Sequence, residues 1–352
     1  MSTSASNRRP DSITMSDIAQ RAGVSRPTVS IILNDRHETV GIAAETRERV
    51  LLAARELGYR RNALARAVKT GRSQTLGFLA GDADLEYSSA AFSGILDSAD
   101  EKNYTVKRFR LYDRPEDEAI IERCSEHRMD GIIVNDTGLA RNVELIRREF
   151  GGRGVPVVWL DPKGPQDWGV QVRPNDEDGT VEAVRYLISN GHKRIAFVGG
   201  IEGVGTGVPR FKGFKRAMEE ADLPYDLVRW TQWQSQPILD TPADLMSQPE
   251  PPTAILCGND PIGLIFLRQL RRQGYRVPED ISIVGFGDLA RVHLSDPSLS
   301  TVHVPYQAMG RAAVAELLAL LEDPEQAQEH KEVLFETTFI PRESSGPAPT
   351  SS

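Results

Sequence analysis

The chain has few of the features that mark disulfide-bonded, metal-binding or membrane-spanning proteins. Its only two cysteines, Cys124 and Cys257, lie far apart and outside any Cys-x-x-Cys spacing, which argues against a disulfide framework and a cysteine zinc site. No His-Glu-x-x-His motif occurs, and the six histidines are scattered. No apolar run reaches the roughly 18 residues of a membrane span. We therefore expect a protein that needs no membrane, metal or cofactor.

Charge is divided unevenly along the sequence. The net charge is −8, whereas residues 1–72 hold 13 Lys and Arg against 7 Asp and Glu, a net of +6, which leaves −14 for the rest. A basic segment beside an acidic body is typical of a protein in which one domain contacts nucleic-acid phosphates. Residues 1–11 are polar and lack the apolar stretch of a secretory signal, so we expect a disordered tail on a cytoplasmic protein.

Residues 12–59 have the pattern of three short helices. A first helix fits Ser16–Ala22 with Ser16 as its N-cap, and Gly23 can adopt positive φ in the following turn. Ser25 is expected to cap a second helix that tolerates Pro27 in its first turn. A third helix is predicted from Ala44 to Leu57. This is the helix-turn-helix layout, in which the second helix enters the DNA major groove, although a generic helical bundle has the same pattern.

The residue identities in this segment are more specific than its helical pattern. ITMSDIAQRAGVSRPTVSIILN closely resembles the N-terminus of the lactose-repressor (LacI/GalR) family, and TRERVLLAARELGY resembles the family's third helix. The resemblance implies sequence-specific DNA binding. The DNA-contacting residues predicted here are Thr14, Ser25, Arg26, Pro27, Thr28, Ser30, Ile31 and Asn34.

One of these positions departs from the family pattern. The family usually has arginine directly after Thr-Val-Ser and reads a base with it, whereas this chain has Ile31. Isoleucine cannot donate a hydrogen bond to guanine, but it can lie against a thymine methyl group. We therefore expect an operator that differs from the family's common one at this base pair.

Residues 60–72 connect the helical segment to the body. The stretch NALARAVKTG is flanked by arginines and is too short to be a stable isolated helix, so from its pattern a plain basic linker stays open. The resemblance implies a hinge helix that orders on DNA and wedges an apolar side chain into the minor groove. Asn62, Ala65 and Val68 are its predicted DNA contacts, with Val68 at the wedge position.

The remainder alternates short apolar runs with amphipathic stretches. Strands are predicted at Thr75–Ala80, Val106–Leu111, Gly131–Val134, Val155–Leu160, Arg194–Val198, Ala254–Cys257 and Ile281–Phe286. Helices are predicted at Ser89–Lys102, Glu116–Glu126, Glu177–Ser189, Phe211–Glu220, Pro261–Gln273 and Gln307–Leu321. Such alternation predicts parallel βαβ sheets with a ligand at the carboxyl ends of the strands.

Family resemblance extends through this body in SQTLGFLAGD, EDGTVEAVRYLISNGHKRIAFVGG, AILCGNDPIGL and RVPEDISIVGFGD. It implies an all-α helix-turn-helix followed by an α/β periplasmic-binding-protein-like sensor of two doubly wound parallel-sheet subdomains. We expect the N-subdomain at about 73–172 and 303–333 and the C-subdomain at about 173–302 and 334–342. Residues 343–352 are predicted to be a disordered tail without leucine heptads.

Polar and aromatic residues at strand ends are the candidates for effector binding. Asp161, Arg210 and Asn259 match family positions that hydrogen-bond the effector. The further candidates are Tyr87, Ser88, Trp233, Asp288 and Tyr306. Helix capping, burial in the core or pairing with a neighbouring acid would equally explain several of them. The family often has a second Asp before Asp288, where this chain has Gly287, so the effector can differ from a typical sugar.

These features predict a homodimeric, non-enzymatic repressor that binds a palindromic operator under the control of a small molecule, with a sugar as first choice. A nucleobase, another metabolite or a protein co-effector is the alternative, and a plain solute-binding protein is a weaker one. The stretch GFGDLA formally fits a dinucleotide-binding motif. However, no helix opens there and no acidic residue follows at the required place, which argues against that enzyme class.

Overall fold

The computed structural model describes residues 13–33, 41–59, 67, 71–81, 86–112, 114–135, 140–164, 166–203, 205–232, 235–323 and 330–350. The chain divides into two compact units, one ending at Gly71 and the other beginning at Arg72. Within the described part of the chain, no helix has both the length and the apolarity needed to cross a bilayer.

The first unit contains helices α1 (Met15–Ala22), α2 (Arg26–Leu33) and α3 (Ala44–Glu56). Their inward faces form one core that includes Ile18, Val29, Ile32 and Val50, each at most 1% exposed. The apolar periodicity of the three helices predicts that these residues point inward, because neighbours at i, i+3 and i+4 share one helix face. The three-helix prediction is confirmed for this unit.

The start of α1 differs from the prediction. The N-cap is Thr14 and not Ser16, because Thr14 and Asp17 form a capping box. The Asp17 carboxylate accepts the Thr14 amide at 2.7 Å, and the Thr14 hydroxyl accepts the Asp17 amide at 3.4 Å. Threonine and a short acidic side chain three residues apart thus satisfy each other's backbone donors. At the other end, Gly23 has φ 64° and ends the helix, as expected.

The second unit contains two six-stranded sheets. The first sheet has strands β1 (Thr75–Ala80), β2 (Thr105–Arg110), β3 (Gly131–Asn135), β4 (Val157–Leu160), β5 (Val170–Pro174) and β11 (Lys331–Phe335) in the order 11-5-4-3-1-2. The second has β6 (Ile195–Gly199), β7 (Val228–Trp230), β8 (Ala254–Cys257), β9 (Ser282–Gly287), β10 (Ser300–His303) and β12 (Thr338–Ile340) in the order 12-10-9-8-6-7. All pairings are parallel except that of β10 with β12.

Helices connect the strands of both sheets. They are α4 (Glu86–Glu101), α5 (Asp117–Glu126), α6 (Ala140–Glu149), α7 (Asp176–Ser189), α8 (Gly207–Glu220), α9 (Ser235–Met246), α10 (Asp260–Arg272) and α11 (Tyr306–Glu322). The sequence prediction did not identify β5, β7, β10, β11, β12, α6 or α9. Most of the missed strands are short or lie at a sheet edge, where they carry little of the apolar signal on which such predictions rest.

Over its described residues, the chain passes between the sheets three times. The passages follow Pro174 at the end of β5, His303 at the end of β10 and Phe335 at the end of β11. The sequence placed them near Arg173, Val302 and Leu334. Strands β5 and β11 pair with each other in the first sheet, with Leu334 opposite Arg173, so Leu334 belongs to the first sheet and not to the second.

The C-terminal segment differs from its prediction as a disordered tail. Ser344 is fully buried; its amide donates to the Ser298 carbonyl and its carbonyl accepts the Ile283 amide. Its hydroxyl also accepts the Ser300 amide at 2.8 Å. The bonds of Ser344 to the backbone of β9 and β10 hold this part of the segment against the second sheet, which composition alone did not reveal.

Helices α4 and α11 pack through two glycines. A Cβ placed on Gly310 would lie 2.1 Å from the Ala91 carbonyl oxygen, and one placed on Gly94 would lie 2.0 Å from the Gln307 carbonyl oxygen. Real Cβ atoms cannot approach backbone that closely, so each glycine lets the opposite helix approach.

We expect Gly310→Ala to lower the free energy of unfolding of the sensor unit by about 1–3 kcal/mol, because the two helices must move apart. Urea unfolding followed by circular dichroism measures this. Gly152→Ala is the matched control, since its Cβ would find its nearest atom at an ordinary 3.8 Å. Equal stability of the two variants would contradict the close packing of α4 on α11.

Candidate functional site

The outward face of α2 is polar at one end and apolar at the other. Arg26 and Pro27 are exposed, while Ser30 and Ile31 are partly exposed. Ser25 caps the helix as predicted: its hydroxyl accepts the Thr28 amide at 3.3 Å and is 2.8 Å from the Thr28 hydroxyl. This face offers a guanidinium, a hydroxyl and a branched apolar side chain, which suit phosphate, base-edge and thymine-methyl contacts respectively.

Thr14 has a structural task in addition to its predicted DNA contact. Its hydroxyl lies 2.7 Å from the Asp17 carboxylate, within the capping box. The backbone hydrogen bond from Thr14 is the main cause that lowers the pKa of Asp17, so the cap carries a negative charge at neutral pH. Asn34, Asn62, Ala65 and Val68 lie outside the described residues, and their predicted DNA contacts stay predictions.

The second unit places polar residues where strand order reverses. In the first sheet β1 lies between β2 and β3, and in the second β6 lies between β7 and β8. Ligands of open α/β sheets bind at the carboxyl ends of the strands at such switch points. Asn135 ends β3 and is 2% exposed, and the Ser88 hydroxyl lies 3.4 Å from its side-chain oxygen. The sequence prediction missed Asn135, although it directly follows the buried run GIIV.

Arg210 is the centre of the corresponding region in the second sheet. It is 4% exposed; its Nε donates to Asp176 Oδ2 at 3.0 Å and its Nη1 to the Gly258 carbonyl at 2.5 Å. Its guanidinium carbon lies 3.9 Å from the ring centre of Phe286. Burial is the largest single influence and lowers the pKa of Arg210, but the combined effects of Asp176, Tyr306 and Asp161 raise it overall and keep the guanidinium protonated. The sequence prediction included Arg210 but not its partner Asp176.

Asp161 and Tyr306 bring the first half of the unit to this centre. Asp161 directly follows β4 and has φ 47°, a left-handed conformation that aspartate tolerates better than most residues. The Asp161 carboxylate and the Tyr306 hydroxyl both lie close enough to interact electrostatically with Arg210. Burial raises the pKa of the Tyr306 hydroxyl, so this tyrosine stays a neutral donor.

Aromatic rings line both halves. The rings of Tyr87 and Tyr306 lie 5.8 Å apart at 43°. In the second half, the Phe197, Phe211 and Trp230 rings form a cluster with each pair about 5.5 Å apart. Trp233, the predicted stacking residue, lies outside the described residues. Trp230 is the described tryptophan nearest to it in sequence, and its position against Gly199 and Gly207 identifies it as a packing residue.

Asn259 and Asp260 form the start of α10. The Asn259 side chain caps the helix by accepting the Ile262 amide at 2.9 Å, so at least its oxygen has a structural role. Asp260 is fully buried and accepts the Leu289 amide at 2.8 Å and the Thr301 hydroxyl at 2.5 Å. Burial is the main cause that raises the pKa of Asp260 to about 6.

Both carboxylate oxygens of Asp288 are bonded to other side chains of the protein. Its two oxygens lie 2.5 Å from Arg342 Nη2 and 2.9 Å from His303 Nδ1. Burial raises the pKa of Asp288, but Arg342 and His303 outweigh it and lower the pKa overall. The predicted effector contact therefore belongs to an ion-pair cluster beside the second passage between the sheets. No cluster of three or more potential metal ligands occurs in the described part of the chain.

Comparisons with known proteins match both units. Residues 14–62 match the family of bacterial regulatory proteins called the lacI family, and residues 184–345 match a periplasmic binding protein-like domain. The HTH-type transcriptional repressor PurR of Vibrio atlanticus is 30% identical over 334 residues, which are 92% of this chain and 95% of that protein. The chain belongs to the LacI family of bacterial regulatory proteins. Family members of this kind are DNA-binding transcription regulators rather than enzymes.

Two solved structures of transcription regulators resemble this chain over nearly its whole length. The Lac repressor dimer bound to operator and the anti-inducer ONPF is 25% identical with a TM-score of 0.82, covering 96% of this chain and all of that one. The transcriptional regulator CelR in complex with cellobiose is 25% identical with a TM-score of 0.70, with the same coverage. The predicted fold, a helix-turn-helix joined to two parallel α/β halves, is thereby confirmed.

We expect the buried Asp260 carboxyl to make the stability of this LacI-family sensor depend on pH. Its folded pKa near 6 lies above the ordinary 3.8, so the folded state holds a proton that the unfolded state has lost. The contribution of Asp260 to the free energy of unfolding is fully present below about pH 4 and is lost as pH rises through 6. The total change is at most about 3 kcal/mol. The unfolding free energies of wild type and Asp260→Asn, compared from pH 4 to 7, isolate this dependence. Parallel pH profiles would contradict it.

Proposed function

We propose that the protein is a homodimeric transcriptional repressor that binds a palindromic operator in the cytoplasm and responds to a small molecule in the cleft of its second unit. One observation carries this proposal: the same chain contains two kinds of unit. The first is a helix-turn-helix with an outward polar face, and the second is a two-sheet unit whose strand ends meet around Arg210. The first part supplies DNA recognition, and the second supplies a site that can sense a metabolite.

Symmetry supports the dimer. One helix-turn-helix reads one half-site, so a two-fold operator requires a two-fold protein. The Lac repressor structure that resembles this chain is a dimer bound to operator. The basic balance of residues 1–72 fits a segment that lies along phosphates, while the acidic remainder stays away from DNA.

The polar groups of the cleft favour an uncharged polyhydroxyl ligand, with a carbohydrate as first choice. Asp161, Asn259 and Arg210 offer an acceptor, an amide and a donor, which is the mixture that hydroxyl groups satisfy. The CelR structure that resembles this chain holds cellobiose. A flat heterocycle such as a nucleobase is the second candidate, because the Tyr87 and Tyr306 rings supply a surface on which a planar ring stacks.

Contacts between the two halves suggest how the ligand acts. The Glu86 carboxylate of α4 accepts the Ala290 amide at 2.5 Å and lies 3.4 Å from Arg291 Nε, both on the second half. The Gly205 amide donates to the Lys163 carbonyl at 3.1 Å. A ligand that changes the angle between the halves must compete with or reinforce these contacts. We infer that ligand binding shifts the population of this angle and thereby lowers operator affinity, and that operator weakens ligand binding by the same factor.

One prediction of the proposed function concerns the base that Ile31 contacts. In operators selected from random DNA, we expect a thymine at the base pair that Ile31 contacts. Replacing this thymidine with deoxyuridine removes one methyl group. Operator binding should then weaken about fourfold, as expected for the loss of one buried methyl. Fluorescence anisotropy at fixed salt measures the ratio. Ile31→Ala should abolish the difference between thymine and uracil.

Leu52→Ala is the control for this experiment, since Leu52 is an exposed apolar side chain on α3. It should leave the thymine-to-uracil ratio unchanged. A wild-type protein that binds both duplexes equally at every selected thymine would refute the contact, while any sequence-specific binding at all would still support the operator-binding function.

The second prediction concerns the cleft. A thermal-shift screen against sugars, sugar phosphates, nucleobases and nucleosides should give a hit whose shift grows with ligand concentration. Asp161→Ala should remove at least 90% of the affinity, because Asp161 lies beside Arg210 at the carboxyl end of β4. Asp178→Ala is the matched control: this acid lies at the start of α7 but pairs with Arg216 on the surface. Equal losses in both variants would place the ligand elsewhere.

A further inference from the structure

The ion pair between Asp176 and Arg210 is buried but incompletely bonded. Both residues are at most 4% exposed, and a single carboxylate oxygen, Oδ2, accepts the Arg210 Nε at 3.0 Å. The other oxygen, Oδ1, is buried and has no hydrogen-bond partner among the described residues. Buried carboxylate oxygens in folded proteins are almost always bonded, so an orphan of this kind requires an explanation.

Arg210 is also left with donor capacity. Its Nε and Nη1 donate to Asp176 and to the Gly258 carbonyl, and its Nη2 takes part in neither bond. The Phe286 ring covers one face of the guanidinium. A guanidinium held in this way presents its remaining edge in a fixed direction, which favours recognition of one specific acceptor.

The pair lies where the two halves meet. Asp176 is the first residue of α7, two residues after β5 leaves the first sheet. Arg210 interacts electrostatically with Asp161 from the first half and with Tyr306 at the second passage between the sheets. The orphan oxygen and the unused guanidinium edge therefore lie in the interior of the second unit, beside residues from both halves.

We propose that Asp176 is an effector-recognising residue: its Oδ1 accepts an N–H or O–H of the ligand while Arg210 Nη2 donates to a neighbouring ligand oxygen or nitrogen. The ligand is therefore uncharged where it meets this pair and carries a donor beside an acceptor. This inference rests on the proposed effector cleft and adds to it the chemical class of ligand and a residue that the sequence prediction lacked.

Charge balance supports an uncharged group. Asp176 already neutralises Arg210, and Asp161 and Asp260 add negative charge nearby, while Arg173 is a second positive charge that acts on Asp176. Burial raises the pKa of Asp176, although the charge and hydrogen bond of Arg210 act in the opposite direction. A phosphate or carboxylate placed here would face an excess of negative charge, so the site rejects anions while it accepts hydroxyls and amide-like edges.

The test compares binding of paired probes to wild type, Asp176→Asn and Asp178→Asn. Each pair is an uncharged monosaccharide or nucleobase nucleoside and its phosphorylated or carboxylated counterpart, measured by calorimetry. We expect wild type and Asp178→Asn to bind the uncharged member at least tenfold more tightly. Asp176→Asn leaves the Arg210 charge uncompensated, and its preference should shift at least tenfold toward the anion.

A wild type that prefers the anionic member, or an Asp176→Asn protein with an unchanged preference, would overturn the proposal. If Asp176→Asn does not fold or no probe binds, a high-resolution crystal structure of wild type decides. A cleft water or ligand on Oδ1 supports the proposal, and a protein donor on Oδ1 refutes it. Operator affinity is measured alongside: a probe that binds without changing operator affinity would refute effector control but not this subsite.

Discussion

A guanidinium held away from water organises the centre of the second unit. Arg210 can be buried only because Asp176 supplies the opposite charge, Gly258 supplies a carbonyl and Phe286 supplies a ring face. These partners come from the first passage between the sheets, from the end of β8 and from β9. Removing Asp176 would leave the Arg210 charge uncompensated in the interior, and removing either of the other two would cost a contact that offsets its burial, so the elements that carry them must keep their mutual positions.

The same constraint links structure to sensing. Because Asp161 and Tyr306 face Arg210 from the other half, the position of one half relative to the other changes the surroundings of the buried charge. A ligand that completes the bonding of this centre therefore stabilises one arrangement of the halves. Glu86 and Lys163 join the halves through contacts with the Ala290 amide, Arg291 and the Gly205 amide, and these contacts would change if the halves moved. Weak contacts of this kind are easily exchanged, as a switch requires.

The replacement of the family's usual aspartate by Gly287 fits this arrangement. Gly287 has φ 134°, and a Cβ at this position would lie 3.2 Å from the buried Asp260 carboxylate. Asp288 cannot substitute, since Arg342 and His303 occupy its oxygens. We infer that the Oδ1 of Asp176 supplies a ligand acceptor beside Arg210, since this chain has no side chain at position 287.

The sequence by itself determined the family, the three helices of the first unit and the alternation of the second, because apolar periodicity and the turn and cap residues are local properties. It also pointed to Asp161, Arg210 and Tyr306 as candidate effector contacts, since they match positions or regions of the family's binding cleft, and their contacts with an effector stay predictions. Only the tertiary structure decided what these residues do. The bonding partners of Asp176, Asn135 and Asp260 lie tens of residues away in the sequence. Ser344 is likewise held by backbone bonds to the second sheet. Such pairings depend on how distant strands are brought together, which no local pattern contains.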